Sequence, residues 1–417
     1  MKKKINLLPH QQKAIEATAR FNKVAYYHDM GLGKTFTGSE KLMSFSTNKK
    51  LIVCQKSKVK DWVLHMMEYY STPVYRITVK DEFEAFLQCD SGIGVINYDI
   101  LFRRPELLQL RNYSLLLDES SLIQNDKAKR TKTVLKMQPD DIILLSGTPV
   151  GGKYENLYSQ LKLLGVQMNK SQYWNKFICW HMENYGGYPV RVVHGYKNID
   201  QLIDLLHQHG ADFLKTEDVL ELPEQNFICS ETMPPACYRK LMKTGIITIG
   251  DQELIADNPL KKLLYARMCC SVYNDNRIQQ FIDLLASTTQ RIVVFYNFTA
   301  ELNQLINSCD RPYSVINGTE KDLTNFTDND NGVVFVQYQS GAMGLNLQLA
   351  SILVYYSLPL SSELYEQSKK RIHRIGQNKK CMYYILTCSD SVEERILATL
   401  EKRKDYTDKL FERDFLC

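Results

Sequence analysis

Ala14, Ile15, Ala17, Thr18 and Phe21 recur at helical spacing after Leu7-Leu8-Pro9, which predicts a helix with Gln11 near its start. From there, short apolar runs alternate with longer helical stretches. Strands are predicted at 51–54, 94–97, 114–117 and 142–145, and helices at 36–46 and 59–70. Such alternation is the pattern of a parallel sheet clad by helices. The rhythm changes over 151–222, where residues such as Tyr154, Leu157, Leu161, Tyr173, Trp174, Phe177 and Trp180 give a helical, aromatic-rich stretch read as core. Strands are predicted again at 291–296, 333–336, 352–356 and 382–386. The expected architecture is α/β, with two doubly wound parallel-sheet lobes at 1–150 and 278–417 and a helical insertion and connector over 151–277.

The 417 residues exceed one ordinary domain of about 150 residues. With 52 Lys and Arg against 47 acids, the net charge of +5 is too small to argue for a polyanion partner, so only local clustering can make that case. The 11 cysteines include no Cys-x-x-Cys pair, which points to reduced thiols inside a cell and away from a zinc ribbon. Lys2-Lys3-Lys4 begins like a signal peptide, but Asn6, Pro9, His10 and Gln11 interrupt the apolar core it would need. No apolar run is long enough to span a bilayer. A soluble, intracellular protein without a membrane partner is expected.

Chemistry concentrates where predicted strands end. In an open parallel sheet, ligands gather beyond the carboxyl ends of the strands. His28-Asp29-Met30-Gly31-Leu32-Gly33-Lys34-Thr35 reads as a phosphate-gripping loop. Gly31 and Gly33 permit the tight turn, Lys34 supplies a point charge and Thr35 a hydroxyl for Mg²⁺. The strict Walker spacing is not met, because His28 stands where a glycine belongs; on its own, the stretch is equally a turn capping a helix. After the strand at 114–117 come the paired carboxylates Asp118 and Glu119, suited to hold Mg²⁺ and to polarise an attacking water. Ser146-Gly147-Thr148-Pro149 follows the strand at 142–145. An amide at Gln11, just ahead of the loop, is a candidate to read adenine.

Far downstream, Gln367, Arg371 and Arg374 stand four and three apart, so on a helix they share a face and bring two guanidinium groups to one phosphate. Two basic stretches, Lys56-Ser57-Lys58 and the run from Lys127 through Arg130 to Lys136, are either contacts to nucleic-acid phosphates or solvated faces.

Together these motifs resemble the Swi/Snf-like ATPases of helicase superfamily two, over nearly the whole chain. Met30 to Thr35 and Ser146 to Pro149 match the family's first and third motifs almost letter for letter. Glu366 to Gln377, ending His373-Arg374-Ile375-Gly376-Gln377, is similar to the sixth. Gln339 to Leu347 is similar to the fifth, with Gly344 and Asn346 where nucleotide and nucleic acid meet. Asp118-Glu119-Ser120 is closest to the annealing-helicase branch, whose next residue is a His linking the nucleotide site to the third motif; here it is Ser121. Tyr338-Gln339 and 357–361 also depart from the common pattern.

The resemblance implies two RecA-like lobes, ATP and Mg²⁺ as cofactors and DNA, in duplex form, as the partner of a monomer. It makes Arg371 and Arg374 arginine fingers and gives the nucleotide Gln11, Gly31, Gly33, Lys34, Thr35, Gly344 and Gln367. Lys56, Ser57, Lys58, Lys127, Arg130 and Asn346 become nucleic-acid contacts. Translocation along duplex DNA, clamping or annealing of strands, and service as the motor of a restriction or repair complex all remain open. The small size suggests a minimal microbial or viral version of the motor.

Overall fold

The computed structural model describes residues 2–185, 188–249, 252–341 and 347–411. The chain divides into two units, Met1–Val219 with Asp405–Cys417, and Leu220–Lys404.

In the first unit, β1 (Lys23–His28), β2 (Lys49–Cys54), β3 (Val74–Arg76), β4 (Gly92–Asn97), β5 (Tyr113–Asp118) and β6 (Asp141–Leu145) form a sheet with a later strand, β9 (Ala211–Leu214). The order is β3-β4-β2-β5-β6-β1-β9, and every pairing is parallel. The central strands β1, β2, β4, β5 and β6 are apolar through their middles because both faces are covered. Leu51, Val53, Leu115, Leu117, Ile142 and Leu144 enter one core, and Ile52, Cys54, Leu116, Ile143 and Leu145 enter the other. Three helices flank the site described below: α1 (Pro9–Ala17), α2 (Lys34–Ser44) and α3 (Val59–Tyr69). Gly38 in α2 lies so close to the sheet that a Cβ there would meet Leu145 Cδ1 at 2.7 Å.

The second unit is built on β10 (Gln225–Thr232), β13 (Ile292–Tyr296), β14 (Tyr313–Ile316), β15 (Val333–Gln337), β16 (Ile352–Tyr355) and β17 (Cys381–Cys388). All are parallel, in the order β10-β17-β16-β13-β15-β14. Val293 and Phe295 face one core, while Ile292, Val294 and Tyr296 face the other. Two doubly wound parallel-sheet lobes are therefore present, as the hydrophobic pattern predicts.

The stretch between them carries helices, among them Tyr158–Leu163, Lys170–Phe177, Ile199–Gln208 and Ala236–Thr244, and strands as well. It contains two antiparallel pairs, β7 (Ile178–Tyr185) with β8 (Tyr188–Tyr196) and β11 (Ile246–Ile249) with β12 (Gln252–Ile255). It also gives β9 to the first sheet and β10 to the second. Both strands evade a hydrophobicity reading for physical reasons. β9 has only four residues and depends on Gly210, which has a φ of +82° and sits so close to the Lys23 carbonyl that a Cβ would fall 2.5 Å from its oxygen, leaving no room for a side chain. β10 is an edge strand whose first five residues are exposed, so it needs no apolar run. The aromatic-rich stretch does pack as core, with Tyr154, Leu157, Leu161, Tyr173 and Phe177 buried.

Candidate active site

The carboxyl ends of β1, β5 and β6 lie side by side in the sheet, and the three motif loops follow them. After β1, Gly31 (φ +91°) and Gly33 (φ +74°) take left-handed conformations that bring the chain into α2. Gly33 caps α2 without any side-chain hydrogen bond, which leaves the first-turn N–H groups to the loop and its ligand. The Lys34 ammonium donates to the His28 carbonyl at 2.7 Å and to the Asp29 carbonyl at 3.0 Å, so it is folded into the loop. Gly147 packs beside it: a Cβ there would stand 3.3 Å from Lys34 Nζ. Thr35 is half-buried in the first turn of α2.

Gln11 is buried in α1 and braces this loop. Its Oε1 accepts from the Leu8 N–H at 2.9 Å, and its Nε2 donates to the carbonyls of Leu32 at 3.0 Å and Gly33 at 3.3 Å. A Cβ on Gly33 would fall 2.3 Å from that nitrogen.

At the end of β5, Asp118 Oδ2 accepts the indole N–H of Trp62 at 2.7 Å. Burial raises the Asp118 carboxyl above its usual range, opposed by the Trp62 hydrogen bond and by the charges of Lys34 and Lys58. Glu119 turns the chain in a left-handed conformation (φ +55°), a strained backbone for a residue with a side chain. Its Oε1 accepts from Ser121 Oγ at 3.0 Å and Ser146 Oγ at 3.3 Å. Burial also raises this carboxyl, while Lys34 and the two serines pull it down and Asp118 pushes it up. Loop lysine, acidic pair and third-motif serine thus form one electrostatically connected group. Asp118 and Thr35 offer hard oxygen donors beside buried negative charge, a set that fits Mg²⁺.

The basic candidates of this unit follow β2 and β5 in the chain. Lys56, Ser57 and Lys58 form a short 3₁₀ turn just after β2, with Lys56 exposed and Lys58 bonded to Asp61 at 2.8 Å. Lys127 is exposed and Arg130 half-buried, the latter in the helix Lys129–Val134.

In the second unit, the predicted shared helical face does not form. The helix Ser362–Lys369 carries Gln367, buried and bonded to Glu363 at 3.3 Å, but it ends before Arg371 and Arg374. The chain leaves it through a tight turn, Arg371 N–H to Ser368 carbonyl at 3.1 Å, and the Arg371 carbonyl accepts from Leu347 N–H at 3.3 Å. Gln377 fastens the segment further, donating to the carbonyls of Ala350 at 2.8 Å and of Gln348 and Ile372 at 3.2 Å. Buried Ile372 and these tertiary bonds override the helical spacing. Arg371 is buried and Arg374 half-buried. Gly344 and Asn346 lie outside the described residues.

Two side chains of this site escape a motif reading. Trp62 is buried and holds Asp118; that a buried indole N–H must find an acceptor was the available signal. The other is Gln160, a buried amide of the helix Tyr158–Leu163. No helix among the described residues is long and apolar enough to cross a membrane.

A glycine-rich phosphate loop and an acidic strand end on a parallel α/β sheet define the P-loop class of proteins. The family model for the SNF2-related domain matches residues 19–248, and that for the helicase conserved C-terminal domain matches residues 276–376. The first spans more than half of the chain, which belongs to the SNF2-related family. Among relatives, the chain is 22% identical to a Drosophila melanogaster SWI/SNF-related matrix-associated actin-dependent regulator of chromatin, subfamily A-like protein 1, covering 97% of this chain and 56% of that one. It is also 22% identical to the ISWI chromatin-remodeling complex ATPase of Saccharomyces cerevisiae, covering 96% and 40%. The chain thus spans about half the length of the curated relatives it matches. A solved structure, the Sulfolobus solfataricus SWI2/SNF2 ATPase core in complex with dsDNA, aligns over 97% of this chain and 93% of that chain at 19% identity, with a TM-score of 0.46.

Proposed function

We propose that this protein is a nucleic-acid-stimulated ATPase that converts ATP hydrolysis into movement along duplex DNA. The observation that carries the reading is the grouping of Lys34, Asp118, Glu119 and Ser146 on one sheet edge, in a chain of the SNF2-related family. ATP phosphates lie against the first-turn N–H groups of α2, and Lys34 exchanges its loop carbonyls for phosphate oxygens. Gln11 braces the loop through its bonds to Leu8, Leu32 and Gly33, and reading an adenine edge requires its amide to exchange one of them. Glu119 takes the proton of the attacking water, which its raised pKa suits it to do. Thr35 and Asp118 would hold Mg²⁺, which would supply neutralising charge to the phosphates. From the second unit, Arg371 and Arg374 stabilise the transferring phosphoryl group, and Gln367 and Gly344 complete the nucleotide contacts. Lys56, Ser57, Lys58, Lys127, Arg130 and Asn346 contact the DNA backbone, which confers affinity without sequence choice.

The reading is tested by ATP turnover with single-stranded, duplex and forked DNA and with RNA. Duplex DNA is expected to stimulate most; equal rates with and without every nucleic acid would overturn it. A second reading, a clamp or strand-annealing factor, draws on Ser121, which stands where the annealing branch has its His. Displacement of a third strand from a long duplex separates the two, because a clamp hydrolyses ATP without displacing it.

A further inference from the structure

The helix Tyr158–Leu163 fully buries Gln160, a polar side chain that no motif assigns. Its Oε1 accepts from Ser120 Oγ at 2.8 Å and from the Tyr27 hydroxyl at 3.1 Å, and its Nε2 donates to the Pro149 carbonyl at 2.7 Å. One amide therefore joins β1, which leads into the phosphate loop, the acidic loop after β5 and the third-motif loop after β6. A buried amide is costly unless its donor and its acceptor are both used, and here both are. The geometry is specific: the acceptor end faces two hydroxyls and the donor end faces one carbonyl.

We propose that Gln160 is a positioning residue that locks Ser146–Pro149 to the acidic loop, so that Ser146 stays on Glu119 and the third motif responds to nucleotide. In this chain that role falls to a residue of the following helix, with Ser121 in the acidic loop bonded to Glu119 instead. Pro149 lies three residues from Ser146, and the Ser146 hydroxyl also accepts from the Thr148 N–H at 3.1 Å, so a displaced Pro149 carbonyl pulls on the serine that bonds Glu119.

The inference rests on the ATPase reading, and its test separates the two. The full-length protein is compared with Gln160→Glu, which keeps the shape and the acceptor but loses the donor to Pro149, and with Gln160→Leu, which loses all three bonds at similar volume. Both variants are expected to lower the duplex-stimulated kcat about tenfold, with KM for ATP within about twofold of wild type. Amide exchange at 147–148 is expected to quicken while β1 and β6 stay protected. Wild-type kcat in both variants would overturn the proposal, as would loss of kcat together with raised KM and unchanged exchange at 147–148. Absence of nucleic-acid stimulation in the wild type would instead overturn the ATPase reading, leaving the exchange result to decide the role of Gln160.

Discussion

Glu119 concentrates the physical argument at the residue scale. Burial holds its carboxyl above the ordinary 4.5, against the pull of Lys34, Ser121 and Ser146. As a base it must be ionised, so activity is lost as pH falls through that raised value, and the acid limb of kcat/KM is expected above pH 4.5. Ser146→Ala removes a hydrogen bond that favours the ionised form, and should move the limb up. An acid limb at the ordinary carboxyl value, unmoved by Ser146→Ala, would contradict this. The same shift has a stability sign. A carboxyl raised on folding favours the folded state below its unfolded pKa, and that contribution is lost as pH rises through the folded value. Glu119→Gln, which removes a buried charge, should therefore raise the melting temperature relative to wild type at neutral pH and lose that advantage in acid, while abolishing turnover and leaving nucleotide binding intact. Thermal melts across pH check the first expectation and fluorescent-nucleotide titration the last.

Elements show what fixes the second unit. Arg277, fully buried, donates to the carbonyls of Tyr356 at 2.7 Å and Leu386 at 2.9 Å, and pairs with Glu393 Oε2 at 2.5 Å. Glu393 also accepts from the Cys388 N–H at 3.0 Å. Cutting one member of such a pair strands a buried charge, so Arg277→Met should cost about 3–5 kcal/mol in urea denaturation. The double variant with Glu393→Leu should recover most of that loss. The strands at 51–54, 94–97, 114–117, 142–145, 291–296, 333–336, 352–356 and 382–386 were legible because burial on both faces writes an apolar run into the sequence. β9 was too short to register, β10 too exposed, and the helix before Arg371 ended on tertiary bonds from Gln377 and Leu347 that spacing cannot encode. Motifs disclosed Lys34, Asp118, Glu119 and Ser146. Trp62, bonded to Asp118, and Gln160, bonded to Ser120 and Pro149 beside them, lie on distant helices, and their partners became visible only in three dimensions.

At the scale of the whole molecule, the first sheet carries the phosphate loop and acidic pair, and the second carries Arg371 and Arg374. The proposal of one motor makes the two sheets interdependent, because a nucleotide held by Lys34 is turned over only when both arginines contribute. The most direct test is steady-state ATP turnover with and without linear duplex DNA, in the wild type, Lys34→Ala and Arg374→Ala. The account predicts strong stimulation in the wild type, and in each variant a loss of about a hundredfold or more. Stimulated turnover in Lys34→Ala or Arg374→Ala equal to that of the wild type would contradict it.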